Sequence, residues 1–324
     1  MEEIERHIPY MQRCLQLARL GLGSVQPNPM VGAVIVHDGL IIGEGYHHRY
    51  GEAHAEVNAL AAVEDKALLA DSVLYVNLEP CSHFGKTPPC ADAIIRHGIP
   101  RVVVGTMDCH DKVNGAGIAK LRAAGIHVTV GVCEAECEEL NRRFFTFHRH
   151  QRPYVILKWA QTADGYMDVD RSDGQPHDYW ITNPALRVLV HKWRSEEDAI
   201  LVGYNTMYND RPQLTTRLYP GKDPKRFVMQ RGHEVDAPLP CTAVSMDVQE
   251  CLQQLYEQRI QSVIVEGGRK TLDRFIASGL WDEARVLVGD VTWGKGLPAP
   301  ALPGTPQREE RMDNNTIWYV RRHL

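Results

Sequence analysis

Residues 72–90 read Ser72-Val73-Leu74-Tyr75-Val76-Asn77-Leu78-Glu79-Pro80-Cys81-Ser82-His83-Phe84-Gly85-Lys86-Thr87-Pro88-Pro89-Cys90. A short run of β-branched, aromatic and aliphatic residues closed by a proline reads as a buried strand, so Cys81 stands at a strand end. Pro88-Pro89 lead into a helix around Ala91, Ile94 and Ile95, and Cys90 opens it, where the helix dipole favours a thiolate. Upstream, Val57, Leu60 and Ala61 repeat at i, i+3, i+4 and predict a helix with His54-Ala55-Glu56 in its first turn. Before that, 30–36 and 40–46 flank His37-Asp38-Gly39, a hairpin signal, and a helix is expected over 5–22. Downstream, a strand at 101–106, a helix near 116–124 and a strand at 127–132 complete the half. Buried strands alternating with helices mean α/β.

The polar, proline-terminated stretch 148–153 reads as a linker, which divides the chain into domains at 1–150 and 151–324. The second half restarts with strands at 154–160, 198–203, 226–229, 262–265, 284–290 and 317–320. Thr182-Asn183-Pro184 supplies a cap and an N1 proline for a helix carrying Leu186, Leu189, Val190 and Trp193. There is no internal repeat.

The chain has 324 residues with 36 basic and 41 acidic side chains, a net charge of −5, which disfavours a broad phosphate-backbone surface; no nucleic-acid partner is expected. No apolar run reaches the roughly 18 residues of a membrane span, and the first ten residues lack leader character, so no membrane partner and a cytoplasmic location are expected. The eight cysteines are scattered irregularly, unlike a secreted disulfide framework, and are expected as reduced thiols or metal ligands.

His54, Cys81 and Cys90 are one imidazole and two thiolates, a set that suits Zn2+, and three protein ligands leave the fourth tetrahedral position open for catalysis. Glu56 then need not be a ligand; its carboxylate can carry a proton for a water at that position. Each fragment alone is common by chance, and it is their conjunction at strand and helix ends that selects zinc. H-x-E followed by Pro-Cys and a second Cys is the nucleobase deaminase signature, here with eight residues, 82–89, between the cysteines in place of two. Cys14, Cys109, Cys133, Cys137, Cys241 and Cys251 are read as buried or half-buried thiols.

With Gly51-Glu52-Ala53 preceding His54, the run from Glu79 to Cys90 closely resembles the deaminase half of the bifunctional riboflavin biosynthesis deaminase/reductases, whose longer loop it shares. Asn28 to Val34, Gly45-Tyr46-His47, Asp108 and Val113 to Gly117 match the same family. The resemblance implies a cytidine deaminase-like three-layer α/β/α domain and a pocket for a phosphoribosylated pyrimidine lined by Asn28, His47, Lys86, Thr87 and Asp108. Lys86 and Thr87 offer a cation and a hydroxyl to a phosphate, the other reading of Lys86 being a solvated loop lysine. After Asp108 the family shows Pro-Asn-Pro where this chain has Cys109-His110-Asp111, so no role is carried to His110.

In the second half, the strand Ser262 to Val265 ends at Glu266-Gly267-Gly268 before a helix over 271–276. Such glycines let amides approach a phosphate, although the pair also fits a plain tight turn and no G-x-G-x-x-G fingerprint is present. Pro153 to Lys158, Asp164-Gly165, Trp180-Ile181-Thr182, Arg194, Asp198 to Gly203, Thr206, Asp210 to Thr215, Arg217 and Val265 to Gly268 run in the order of the family's reductase half. The resemblance implies a dihydrofolate reductase-like α/β domain. It puts NADPH at Ala160, Trp180, Thr206, Asp210 and the turn and helix Gly268, Arg269, Lys270, Thr271, Leu272, Asp273 and Arg274. It puts the ribosylamino substrate at Lys158, the catalytic candidate, with Arg194, Leu214, Arg217 and Glu266. Guanidinium forks fit phosphate, so Arg194 and Arg217 are the expected clamp, against a reading as two surface arginines. Asp178 stands where the family has serine, and Gln230-Arg231 where Asp-Ser or Asp-Arg is common. These departures leave open a second half that only binds or dimerises.

The expected function is two consecutive steps on small phosphoribosylated pyrimidines, a zinc-dependent hydrolytic deamination and an NADPH-dependent reduction, in a homo-oligomer. The competing readings are a polynucleotide base deaminase, which the net charge and the eight-residue loop disfavour, and a protein whose zinc serves folding alone.

Overall fold

In a computed structural model, which describes residues 2–83, 88–109, 114–169, 180–232, 234–301 and 304–322, the chain forms two units, Met1–His150 and Gln151–Leu324. The first begins with α1 (Glu2–Glu5), α2 (Ile8–Arg19), β1 (Gly32–His37) and β2 (Leu40–Tyr46). It continues through α3 (Ala55–Ala62), β3 (Val73–Leu78), α4 (Cys90–Arg96), β4 (Arg101–Thr106), α5 (Ala116–Ala123), β5 (His127–Val130), α6 (Glu134–Leu140) and α7 (Arg142–His150). The strand order is β2-β1-β3-β4-β5; β1 and β2 form the expected hairpin around Asp38-Gly39, and β3, β4 and β5 are parallel.

Side-chain alternation along these strands builds two cores. Ala33, Ile35, Leu74, Val76, Val102 and Val104 pack with Ala59, Leu60, Ala91, Ile94, Ile118 and Leu121 of α3, α4 and α5, whereas Val34, Tyr75 and Val103 pack with Met11, Cys14, Cys137 and Leu140 of α2 and α6. The sheet is therefore covered on both faces. Gly45 lets α3 lie directly on β2: a Cβ there would stand 2.5 Å from Ala55 O, so the first turn of α3 is pinned to the sheet.

The linker expected at 148–153 is corrected in part. His148 to His150 are the last turn of α7, because Phe144, Phe145 and Phe147 give that helix a buried face. Arg152 is then fixed by a two-pronged ion pair with Asp282 (2.6 Å at each prong), whose Oδ2 also accepts from Val155 N at 2.7 Å.

The second unit runs β6 (Tyr154–Gln161), β7 (Tyr166–Asp168), α8 (Pro184–Glu196), β8 (Ala199–Gly203), α9 (Tyr204–Asp210), β9 (Lys225–Met229) and β10 (Thr242–Val244). There follow α10 (Val248–Glu257), β11 (Ser262–Val265), α11 (Arg269–Ser278), β12 (Glu283–Val288), β13 (Leu297–Pro298), β14 (Arg308–Met312) and β15 (Asn315–Arg321). The large sheet has the order β10-β9-β8-β11-β6-β12-β15-β14, parallel from β10 to β12 and closed by antiparallel β15 and β14. Asn183 caps α8 as predicted, accepting from Leu186 N at 2.9 Å. Val155, Leu157, Leu201, Val263 and Val265 pack with Leu252, Leu255, Leu272 and Phe275 of α10 and α11; Tyr154, Ile156, Ile200, Val202 and Ile264 pack with Leu186, Val190 and Trp193 of α8. Lys158 and Glu266 continue the second series, and this alternation carries both to the α8 side. No helix among the described residues is long and apolar enough to cross a membrane, and all eight cysteines are free thiols.

Candidate functional site

His54 is the extended residue that precedes α3, Cys81 is the third residue after β3, and Cys90 is the first residue of α4. Cys90 N donates to Cys81 Sγ at 3.3 Å and Ala91 N to Cys81 O at 3.1 Å, so the start of α4 is tied to the strand end. His54 Nδ1 lies 3.6 Å from Cys81 Sγ and 3.3 Å from Cys90 Sγ, and the three ligand atoms all fall within 4.8 Å of one another. A borderline-soft set this close, with Cys90 buried and His54 and Cys81 half-buried, fits Zn2+. The hydrogen bond from Cys90 holds the Cys81 thiol far below its usual range, at about 4, with His54 assisting. Glu56, in the first turn of α3, is 3% exposed, and burial followed by repulsion from Cys81 pushes its carboxyl pKa up.

Asn28 and His47 come together beside this cluster. Asn28 Nδ2 is 3.1 Å from His47 Nε2 and His47 Nδ1 is 3.1 Å from Ala53 O; a neutral imidazole with its proton on Nδ1 satisfies both. Burial lowers the His47 pKa, and its ring stands edge-on to His54, centroids 5.3 Å apart. Asp108 is buried just beyond β4, and its N–H donates to Glu79 Oε2 at 3.2 Å. Lys86, Thr87 and His110 lie outside the described residues.

Sequence reasoning missed two supports. Asn77 accepts from Gly32 N (2.8 Å) and donates to Met30 O (3.1 Å), while Asn141 accepts from Met30 N (2.8 Å) and donates to the same carbonyl (2.9 Å). The chain just after Asn28 is thus clamped from two elements. The available signal was an asparagine inside an otherwise apolar strand.

In the second unit Lys158, Arg194 and Glu266 converge. Arg194 Nε and Nη2 reach the Glu266 carboxylate at 2.8 and 2.7 Å, Lys158 Nζ reaches it at 3.4 Å, and Arg194 Nη1 donates to Thr215 O at 3.0 Å. Burial alone would raise the Glu266 pKa, but Arg194 and then Lys158 overcome it and hold the group at about 2; burial lowers the Lys158 pKa. Two cations share one anion, so a positive charge is left over. Of the expected clamp, the Arg194 fork pairs with Glu266, while Arg217 is exposed with Nη1 3.4 Å from Thr215 Oγ1. Leu214, at φ 55°, is buried just before Thr215. His191, one turn before Arg194, was not singled out; burial and then Arg194 and Arg217 push it down to about 4, and its buried Nδ1 has no hydrogen-bond partner among the described residues.

Beyond β8 and β11 the backbone makes a cradle. A Cβ on Gly267 would stand 2.6 Å from Gly203 N, and one on Gly268 would stand 2.9 Å from Thr206 Oγ1. One on Gly203 would stand 2.3 Å from Thr271 Oγ1. Only glycine fits this approach, and two threonine hydroxyls with the amides opening α11 are a donor set suited to a phosphate-bearing cofactor such as NADPH. The range 268–274 narrows, because a helix presents one face at a time. Leu272 is fully buried in the core, Arg269 is held by Asp273 Oδ2 (2.6 Å) and Pro298 O (2.8 Å), Arg274 reaches Met246 O (2.7 Å), and Lys270 is exposed. Ala160 is half-buried two residues along β6 from Lys158, Trp180 is exposed under the Arg187 guanidinium (4.3 Å), and Asp210 ends α9. Gln230 Nε2 donates to Glu234 O at 2.5 Å, Arg231 is exposed, and Asp178 lies outside the described residues.

Residues 4–106 match the family model of the cytidine and deoxycytidylate deaminase zinc-binding region, and residues 153–321 match that of the RibD C-terminal domain. The chain is 40% identical, over an alignment of 330 positions, to riboflavin biosynthesis protein RibD of Aquifex aeolicus (strain VF5), covering 92% of this chain and 90% of that protein. It is 37% identical to RibD of Escherichia coli (strain K12), covering 92% and 89%. Among solved structures, a diaminohydroxyphosphoribosylaminopyrimidine deaminase/5-amino-6-(5-phosphoribosylamino)uracil reductase from Thermotoga maritima has a TM-score of 0.87 at 36% identity, over 98% of this chain and 99% of that one. Acinetobacter baumannii RibD has a TM-score of 0.87 at 30% identity with the same coverage. A zinc-binding deaminase domain followed by a dihydrofolate reductase-like domain, matched almost end to end by proteins of one kind, leaves one conclusion: the chain belongs to the RibD family, the bifunctional deaminase/reductases of riboflavin biosynthesis.

Proposed function

We propose that residues 1–150 deaminate diaminohydroxyphosphoribosylaminopyrimidine and that residues 151–324 reduce 5-amino-6-(5-phosphoribosylamino)uracil with NADPH, the two activities named for the T. maritima relative. The observation that carries this reading is the convergence of His54, Cys81 and Cys90 with Glu56 buried in the first turn of the helix that His54 precedes. Zinc held by these ligands acidifies water to a pKa of about 7 and so supplies a nucleophile at neutral pH. Glu56 takes the proton of the attacking water and returns it to the departing amine, so that water enters and ammonia leaves. Asn28 and His47 hold their mutual geometry in advance and orient the pyrimidine, with Asp108 as a further pocket residue; Lys86 and Thr87, the phosphate contacts that the resemblance implies, lie outside the described residues.

NADPH, when bound in the reductase, would supply a hydride for the ribose C1′ of the ring-opened substrate. Gly268, Thr206 and Thr271 would hold the cofactor's phosphates. Lys158, carrying the excess charge beside Glu266, and Arg217 hold the phosphorylated sugar in place. The test is ammonia release from the diaminopyrimidine measured beside NADPH oxidation with the deaminated uracil supplied. Both activities are expected. Ammonia without NADPH oxidation leaves a monofunctional deaminase, and neither activity in zinc-loaded protein leaves a metal that serves folding alone.

A further inference from the structure

Glu79 stands between β3 and the ligand Cys81, and no step above uses it. Its carboxylate is 4% exposed and accepts four main-chain N–H bonds. Oε1 takes those of Gly117 (2.9 Å) and Ile118 (3.1 Å), and Oε2 those of Gly115 (2.9 Å) and Asp108 (3.2 Å). Four donors match the acceptor sites of an ionised carboxylate. They come from two pieces of chain, the segment after β4 and the start of α5. Its N-cap, Gly115, has no side chain to cap it, and Glu79 accepts from the first amides of the helix from across the fold. Glu79 N in turn donates to Thr106 O at 3.0 Å. The approach is close: a Cβ on Gly117 would stand 2.0 Å from Pro80 O, so α5 rests on the residue that joins Glu79 to Cys81.

We propose that Glu79 is a positioning residue of the deaminase, a single carboxylate that sets the Asp108 wall of the pyrimidine pocket relative to the metal site. The proposal rests on the reading of residues 1–150 as the deaminase with Asp108 in its pocket. Glutamine in this place keeps one carbonyl oxygen but turns an NH2 group toward two N–H donors, which frees one pair of the four bonds. Cys81 stays anchored by Cys90 N and Ala91 N, so the metal is retained and the loss falls on the pocket wall.

The test uses the full chain loaded with zinc. Ammonia release is followed against diaminohydroxyphosphoribosylaminopyrimidine concentration for wild type, Glu79→Gln and Glu79→Ala, with metal analysis of each. The expected result for Glu79→Gln is stoichiometric zinc, KM raised about tenfold or more and kcat nearly unchanged, with a larger KM rise in Glu79→Ala, since small misplacements of positioning groups carry costs of this order. A zinc-loaded Glu79→Gln with wild-type KM overturns the proposal, as does loss of zinc, which would make Glu79 a support of the metal. Should neither variant fold, hydrogen exchange on zinc-loaded wild type decides. The amides of Asp108, Gly115, Gly117 and Ile118 should be protected together and gain protection when 5-amino-6-(5-phosphoribosylamino)uracil is added; indifference to that compound overturns the proposal. A zinc-loaded wild type that releases no ammonia removes the deaminase reading and this proposal with it, a failure distinguishable from that of a Glu79 variant compared with active wild type.

Discussion

The two units assemble their reactive side chains in opposite ways. In the first, His54, Cys81 and Cys90 bring three metal-seeking atoms within 4.8 Å, and the thiols share hydrogen bonds that a cation is suited to replace. In the second, Arg194 and Lys158 close on Glu266 and leave one positive charge over. The first cluster is a ligand set suited to an ion; the second is organised by its own ion pairs, with one positive charge in surplus. A buried charge that is paired and hydrogen-bonded tolerates burial, while one stripped of its partner does not.

This contrast breaks most sharply at the metal. Cys81→Ala should lose zinc and all ammonia release, whereas NADPH oxidation with supplied 5-amino-6-(5-phosphoribosylamino)uracil should continue; retained stoichiometric zinc with intact deamination would contradict the ligand assignment. Glu56→Gln should keep its zinc and lose ammonia release by about 10² to 10⁴-fold, the usual range for a general acid–base group. Metal analysis beside an ammonia assay reads both variants.

On the reductase side Lys158→Ala should reduce NADPH oxidation by about 10²-fold or more and leave deamination untouched. Lys158 is the surplus cation, so its removal leaves Arg194 and Glu266 balanced and the unit folded; a variant with full reductase rate would take Lys158 out of the site. Glu266→Gln should behave differently, because it leaves two buried cations without their anion, at a cost of about 3–5 kcal/mol. The Glu266 carboxyl is held at about 2 in the folded protein, below its ordinary value of 4.5. A depressed carboxylate contributes stability that is fully present above the unfolded pKa and lost as pH falls through the folded one. Urea unfolding should therefore show the gap between wild type and Glu266→Gln wide at pH 6 and narrowing from about pH 4.5 toward pH 2; a gap independent of pH would contradict the ion-pair account. The smallest effect is expected at Asn183→Ala, about 1 kcal/mol from loss of the α8 cap, read by the same unfolding experiment.

What the sequence by itself determined is local. The hairpin at Asp38-Gly39, the alternation of strands and helices, the Asn183-Pro184 helix start and the placement of His54, Cys81 and Cys90 at element ends all follow from periodicity, turn chemistry and capping within a few residues. The helix α10 was not among these readings, although Val248, Cys251, Leu252 and Leu255, at helical spacing, are buried on one face. The end of α7 was misread as a linker because its charged residues outweighed the spacing of Phe144, Phe145 and Phe147.

Only the tertiary structure decided which polar atoms meet. Glu79 takes amides 29 to 39 positions away, Arg194 meets Glu266 across 72, Lys158 meets it across 108, and Asn141 clamps Met30 across 111. A carboxylate in the sequence has many conceivable partners, and nothing local distinguishes a capped amide from a guanidinium or a metal-bound water as the one it will face. Strand alternation sends Lys158 and Glu266 to one side of the sheet and α8 brings Arg194 there. Burial then makes each unsatisfied polar group costly enough that the long-range pairings are enforced.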